Sequence, residues 1–307
     1  MSREIESKIE KIPVLNKVVG FLKKIRFSFL EGYSLYDLIE LYLVGIVKGA
    51  FSYRAGSIAF SFFMALFPFA LFILNLIPYI PLDNFQLDFM QFIENSVPPN
   101  TFEAIESIIH DIMNNSYRSL LSSGFLLSIF LMTNGVFAII GGFESSYHIT
   151  ISRNIIRQYL VALVLSVFLA VLLIFSVAFY VVLEVAMYKF DVNSTLIQWS
   201  RSIFLLLVVL MTTSILYKFG AKETKRVSFI SIGSVFTTVL YILTSYLFSV
   251  YVLRFARYNE LYGSIGTLLV VMFYLWINCM ILLLGFELNL AISKLKSKKK
   301  VYLKHNH

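Results

Sequence analysis

Residues 55–81 read AGSIAFSFFMALFPFALFILNLIPYIP, an unbroken apolar run without one charged side chain. A helix needs only about 20 apolar residues to cross the ~30 Å hydrocarbon core of a bilayer. The stretch therefore predicts a membrane-spanning helix, and with it the fold class. Its interior is chemically interrupted, with Pro68 near the middle, Asn75 further on, and Pro78 and Pro81 at the end. Pro68 has no N–H for the carbonyl of Met64, and its ring crowds that carbonyl, so a kink is expected there. Membrane helices accept such a break where a neighbour, water or a cavity satisfies the freed group. Interrupted helices line many transporter sites near the midplane, and a kink that serves packing alone leaves the same signature.

Five more windows of this kind follow, giving expected spans at residues 56–80, 120–143, 159–187, 202–219, 227–251 and 265–291. The composition of the 307-residue chain agrees: 58% apolar, a mean hydropathy of +0.79, and 14% charged residues, against roughly 25% in soluble domains. The expected fold is all-α, a polytopic membrane protein with six transmembrane helices over residues 56–291. A helical arm (1–55) precedes it and a basic tail (292–307) follows. The charged, interrupted start lacks the h-region of a signal peptide. Cys279 lies inside an apolar run and reads as a small buried hydrophobe, with no intrachain disulfide to make.

Of the 26 Lys and Arg residues, 21 fall in the arm, the second and fourth connections and the tail. By the positive-inside rule both termini are expected to face the cytoplasm. The tail SKLKSKKKVYLKHNH is then an anchor for anionic headgroups, each charge contributing about 1 kcal/mol near the surface. The net charge of +8 is thereby accounted for by membrane lipids, and no nucleic acid partner is expected.

Outside the spans, SLYDLIELYLVGIVKGAF (34–51) opens with Ser34 and Asp37 at capping-box spacing. It is too apolar for a free helix, which places it in the interface or against the bundle. The first connection, residues 81–119, carries two helix starts: Asp83 with Gln86, and Asn100 with Glu103. Both lead into amphipathic patterns, so two short helices are expected on the outer surface, as a lid or as a passive linker.

Polar side chains inside the spans are the functional candidates. Asn75, Asn134 and Asn278 place carboxamides in apolar helices, where interhelical hydrogen bonding is the ordinary role. In the fifth span Ser231, Ser234, Thr238, Tyr241, Ser245 and Ser249 recur at steps of three and four, one helical face about 27 Å long. That face suits a groove lining and a close packing seam equally. Glu184 lies near the outer end of the third span. Glu287 lies about a turn inside the cytoplasmic end of the sixth, either a functional ionisable group or the partner of a basic residue such as Arg54. No HExxH, Cys/His cluster, Walker A loop or GxSxG is present, so no catalytic residue, metal or cofactor is assigned.

RAGSIAFSFFMALFPFALFIL (54–74) resembles the first-span signature of the YihY/virulence factor BrkB family. YGSIGTLLVVMFYLWINCMILLLGFELN (262–289) resembles its last-span signature, with Tyr262, Gly263, Ser264, Trp276, Gly285, Glu287 and Asn289 in place. The resemblance implies an inner-membrane protein, formerly labelled ribonuclease BN, and a role in moving lipids or other amphiphiles. It supplies no catalytic residues.

Two functions from different classes follow. A transporter or flippase-like carrier would line its path with Pro68, Asn75, Asn134, Ser234, Thr238, Tyr241, Ser245 and Asn278, with Glu287 at the cytoplasmic mouth. A non-catalytic docking protein would instead bind an envelope protein partner through the outer helices or the basic tail. A membrane-bound hydrolase or ribonuclease is the third reading, and it has no motif behind it.

Overall fold

The computed structural model describes residues 13–26, 32–76, 85–96, 102, 106–107, 109–110, 118–190, 193–255 and 264–305. Among them the structure is helical, apart from a single bridge between Arg26 and Ser34. In chain order the helices are α1 (Pro13–Lys24), α2 (Leu35–Lys48), α3 (Phe51–Leu76), α4 (Phe85–Ser96), α5 (Arg118–Glu144), α6 (Ile155–Lys189) and α7 (Ser194–Gly220). A 3-10 turn (Glu223–Arg226) then leads to α8 (Ile232–Phe255) and α9 (Ser264–His305).

The last five helices are each long and apolar enough to cross a membrane, over Leu126–Glu144, Ile155–Met187, Ser194–Gly220, Ile232–Tyr251 and Leu268–Ser297. The first expected span falls on α3, whose 26 residues extend about 39 Å at 1.5 Å per residue. This helix runs on through Pro68 without interruption. The side chains of Pro68 and Asn75, and all of Pro78, Pro81, Asp83, Asn100 and Glu103, lie outside the described residues. On α6 Val164, Phe168, Val171 and Phe175 are exposed along one face while Ala162, Leu165 and Ser166 are buried on another. An apolar face of that length is solvated by lipid tails and not by water.

Two boundaries differ from expectation by more than five residues. Helix α7 starts at Ser194, well before the expected 202, because Arg201 and Gln198 depress local hydropathy without breaking the helix. Asn193 Oδ1 accepts the Thr195 N–H (2.9 Å), a cap for the otherwise orphaned first turn. Helix α9 continues to His305, so the basic tail is helical where it is described.

The chain divides into two compact units. In the first (Met1–Ile58, Ile140–Asn154 and Thr213–His307), α2 lies against α9. Leu38 packs with Ala291, Ile292 and Leu295, and Leu35, Leu41, Tyr42 and Leu288 complete the contact. The expected capping box starts α2: the Ser34 N–H donates to Asp37 Oδ2 (2.8 Å), and the Asp37 N–H donates to Ser34 Oγ (3.2 Å). The arm helix thus rests on the bundle, which hides the apolar face that made it unsuited to water. Further in, Phe143 of α5 stacks on Phe286 of α9 (4.0 Å between ring centroids) and meets the edge of Tyr217 from α7. In the second unit (Ala59–Ile139 and Ile155–Thr212), Phe89 of α4 is buried against Val181 of α6, with Met90, Ile93, Val177 and Val185 around them.

Candidate functional site

A carboxylate in an apolar helix costs several kcal/mol to desolvate unless it is paired and hydrogen-bonded. Glu287 is fully buried, and its partner is Arg54, 233 residues away in sequence. Arg54 Nη1 and Nη2 both donate to Glu287 Oε1 at 2.8 Å, and Ser146 Oγ donates to Oε2 at 2.8 Å. The guanidinium directs two further N–H groups to backbone carbonyls, Nε to Gly142 (2.8 Å) and Nη1 to Gly49 (3.1 Å). Four of its five N–H groups are thus engaged, by acceptors on α5, α9 and the end of α2.

A glycine makes the close approach of α2 to this pair possible. A Cβ on Gly45 would lie 2.8 Å from Glu287 Oε2 and 2.9 Å from His148 Nε2. His148 Nε2 meets the Leu41 carbonyl at 2.8 Å; since a carbonyl can only accept, this nitrogen carries the proton. Burial pushes the Tyr42 phenol up to about 12, and the nearby Glu287 charge adds to the effect. The cluster is an ionic lock that ties the arm helix to α9.

The hydroxyl face of α8 is resolved into two parts. Ser234 and Thr238 are buried and spend their hydroxyls on their own helix: Ser234 Oγ donates to the Ser231 carbonyl (2.9 Å) and Thr238 Oγ1 to that of Ser234 (2.8 Å). Here Gly233 of α8 lies against Gly285 of α9, and a Cβ on either would overlap the other's carbonyl. Asn289 bridges the two helices, accepting from the Gly233 N–H and donating to Ser231 Oγ, each at 2.8 Å. This half is a packing seam. Farther along, Tyr241 OH donates to the Asn278 carbonyl (3.2 Å), and the exposed Ser245 pairs with Tyr274 OH (2.9 Å). Asn278 Nδ2 donates to the Tyr274 carbonyl of its own helix (2.7 Å).

Thus Ser234, Thr238, Tyr241, Ser245 and Asn278 come together between α8 and α9, and Glu287 belongs to the separate lock. Asn134 is half-buried on α5 in the second unit. Beside it Thr133 Oγ1 meets Ser166 Oγ of α6 at 3.1 Å.

The second unit holds a different polar site. A cavity of about 410 Å³ opens between α4 and the end of α6, with Asp88, Gln91 and Asn95 on one side and Glu184 and Lys189 on the other. Val181 and Val185 give it an apolar wall. Glu184 is paired with Arg201 of α7, and Arg201 Nη1 also donates to the Asn95 carbonyl (3.2 Å), which ties α4 to both long helices. Sequence reading placed Glu184 near a helix end but missed its association with α4, because the residues that meet it are separated by about 90 positions and share no motif.

A second carboxylate acts as a clamp. Glu223 Oε1 accepts the Thr150 N–H (2.9 Å), the Thr150 hydroxyl (2.6 Å) and the Ile151 N–H (3.0 Å). Burial alone would raise its pKa, but the Thr150 and Ile151 donors and the charge of Lys294 bring it below the usual 4.5. A depressed folded-state pKa gives stabilisation that is present above about 4.5 and is lost as pH falls through the folded value. Hydrogen exchange at the Thr150 and Ile151 amides should therefore be slow near pH 7. It should lose protection, relative to the intrinsic rate, below pH ~4, and Glu223→Gln should show weakened protection at both. Identical protection in parent and variant at pH 7 would refute the clamp.

With this geometry in hand, comparison with known proteins is informative. The family model described as "Virulence factor BrkB" matches residues 45–306. A "Putative ribonuclease-like protein YfkH" of Bacillus subtilis (strain 168) is 30% identical over 257 residues, covering 79% of this chain and 90% of that protein. A "UPF0761 membrane protein" of Coxiella burnetii (strain Dugway 5J108-111) is 25% identical over 246 residues, covering 76% of this chain and 85% of its own. No solved structure matches the chain.

Proposed function

The chain belongs to the virulence factor BrkB family, and from that premise we propose that it is a transporter, flippase-like in action, for lipids or other amphiphiles. The observation that carries this reading is the cavity between α4 and α6. An amphiphile needs a polar pocket for its headgroup next to an apolar surface for its chains. The cavity combines two carboxylates, two carboxamides and Lys189 with a valine wall, at the end of the most apolar of the described spans. Val182 and Phe179 on α6 are exposed nearby in sequence, as a surface for acyl chains. On the both-termini-inside orientation of the Lys and Arg bias, this end faces outward, and α4 is the lid of the headgroup pocket. We read the protein as non-enzymatic; the ribonuclease-like wording belongs to the Bacillus relative, and this sequence carries no hydrolase motif to support it.

The test is flip of fluorescent phospholipids in proteoliposomes, read with a membrane-impermeant quencher. The parent should flip, and Asp88→Asn combined with Lys189→Gln should lower the rate about tenfold, near the ~1.4 kcal/mol expected for weakened headgroup contacts. Thr238→Val, confined to the seam, should leave it unchanged. No flip by the parent with phosphatidylethanolamine, phosphatidylglycerol or phosphatidylcholine would sink the phospholipid reading.

The alternative, an envelope docking protein, draws on α9. The expected sixth span ends at residue 291, yet the helix continues to His305 through a lysine-rich stretch. Loss of cellular function on deleting residues 298–307, with flip intact, would favour docking.

A further inference from the structure

Where the 3-10 turn meets α9, a cavity of about 490 Å³ is lined by Thr150, Lys222, Glu223, Ser293, Lys294 and Ser297, among others. We propose that it binds the headgroup of an anionic glycerophospholipid, a phosphodiester carrying free hydroxyls. The inference is independent of transport, and on the charge-bias orientation it concerns the cytoplasmic side.

Charge and chemistry point to this class. Two ammonium groups stand against one carboxylate, so the cavity carries a net positive charge at neutral pH. Glu223 does not repel an anion freely, because its Oε1 is already engaged by three donors from Thr150 and Ile151. Lys294 also lies close enough to Glu223 to act on its charge. The lysines supply phosphate recognition, while the Ser293 hydroxyl and the acceptor lone pairs of Ser297, whose own proton goes to the Ser293 carbonyl (3.0 Å), suit the hydroxyl groups of a glycerol-type headgroup. Depth supports a lipid source. The expected sixth span ends at residue 291, just before Ser293, Lys294 and Ser297, so the cavity sits where hydrocarbon gives way to the headgroup layer. Ile151, half exposed in the cavity wall, provides an apolar edge for the start of an acyl chain. Basic pockets at this depth between membrane helices are suited to phosphate-bearing headgroups.

The experiment titrates the full-length protein in a neutral detergent with short-chain phosphatidylglycerol, phosphatidylcholine and glycerol 3-phosphate, and follows binding by intrinsic fluorescence and native mass spectrometry. Phosphatidylglycerol should bind at least tenfold more tightly than phosphatidylcholine. Lys222→Gln with Lys294→Gln should weaken it about 30-fold, a factor of about five per charge, while Lys222→Arg with Lys294→Arg retains most of the affinity. Unchanged thermal unfolding of the glutamine variant without lipid confirms that the loss is local. Equal affinity for phosphatidylglycerol and phosphatidylcholine, or no effect of the glutamine substitutions, would overturn the assignment. Binding of glycerol 3-phosphate as tightly as the lipid would move the site to a soluble phosphate ester and overturn the lipid source.

Discussion

Replacing Glu287 with alanine should destabilise the protein by about 3–5 kcal/mol, the cost of leaving a buried charge without its partner. The guanidinium of Arg54, 5% exposed, would keep only the Gly142 and Gly49 carbonyls, neither of which carries a countercharge. Arg54→Ala should cost as much from the other side, since Glu287 would be left with the single hydroxyl of Ser146. Ser146→Ala removes one neutral donor to a charged acceptor and should cost about 1.5–3 kcal/mol. Charge, more than shape, sets these magnitudes. Arg54→Met together with Glu287→Leu should therefore cost less than either alanine substitution alone. Thermal unfolding in detergent, read by the recovery of monodisperse protein, measures all four variants. Additive losses in the double variant would show that Arg54 and Glu287 act independently, contrary to the lock.

Gly285→Ala should be the most damaging substitution of a single methyl group in the chain's described core. Its Cβ would overlap Thr237 Oγ1, lie 2.6 Å from Tyr217 OH and lie 2.7 Å from the Gly233 carbonyl. Those atoms are not free to move. Tyr217 OH is held by Thr237 Oγ1 and by the Leu282 carbonyl, each at 2.6 Å, and the ring packs against Phe143 and Phe286. Overpacking of a fixed core typically costs 1–3 kcal/mol, and here the upper end or beyond is expected because α8 must be pushed off α9. Adding Thr237→Ala should recover part of the loss by removing the overlapping hydroxyl. It cannot recover all of it, because the Gly233 carbonyl stays. Full rescue would mean that the hydroxyl alone sets the spacing; wild-type stability for Gly285→Ala would mean that the helices do not approach this closely.

Much of this was legible in the chain itself. Hydropathy windows identified the spanning helices because lipid-facing side chains carry a one-dimensional signal, and the Ser34–Asp37 box was readable because its partners are three residues apart. Arg54 could be named as a candidate for Glu287, since isolated opposite charges in apolar helices have few choices of partner. Gly45, Ser146 and His148 could not, because small or singly polar residues have no signature until the backbone brings them to a carboxylate.

The hydroxyl face of α8 marks the limit. Spacing puts Ser234, Thr238 and Tyr241 on one side of a helix, and lipid, a groove or another helix could each face that side. Only the approach of Gly233 to Gly285, and the closure of the hydroxyls onto backbone carbonyls, made the near half a seam. The α4–α6 cavity is likewise a tertiary product, built by residues far apart in the chain. The sequence by itself determined that the chain is helical and membrane-embedded, because hydrophobic burial depends on local composition and period. The tertiary structure alone decided which polar groups are spent on packing and which line a cavity, because a hydrogen bond is satisfied only by the atom that distance and direction bring to it.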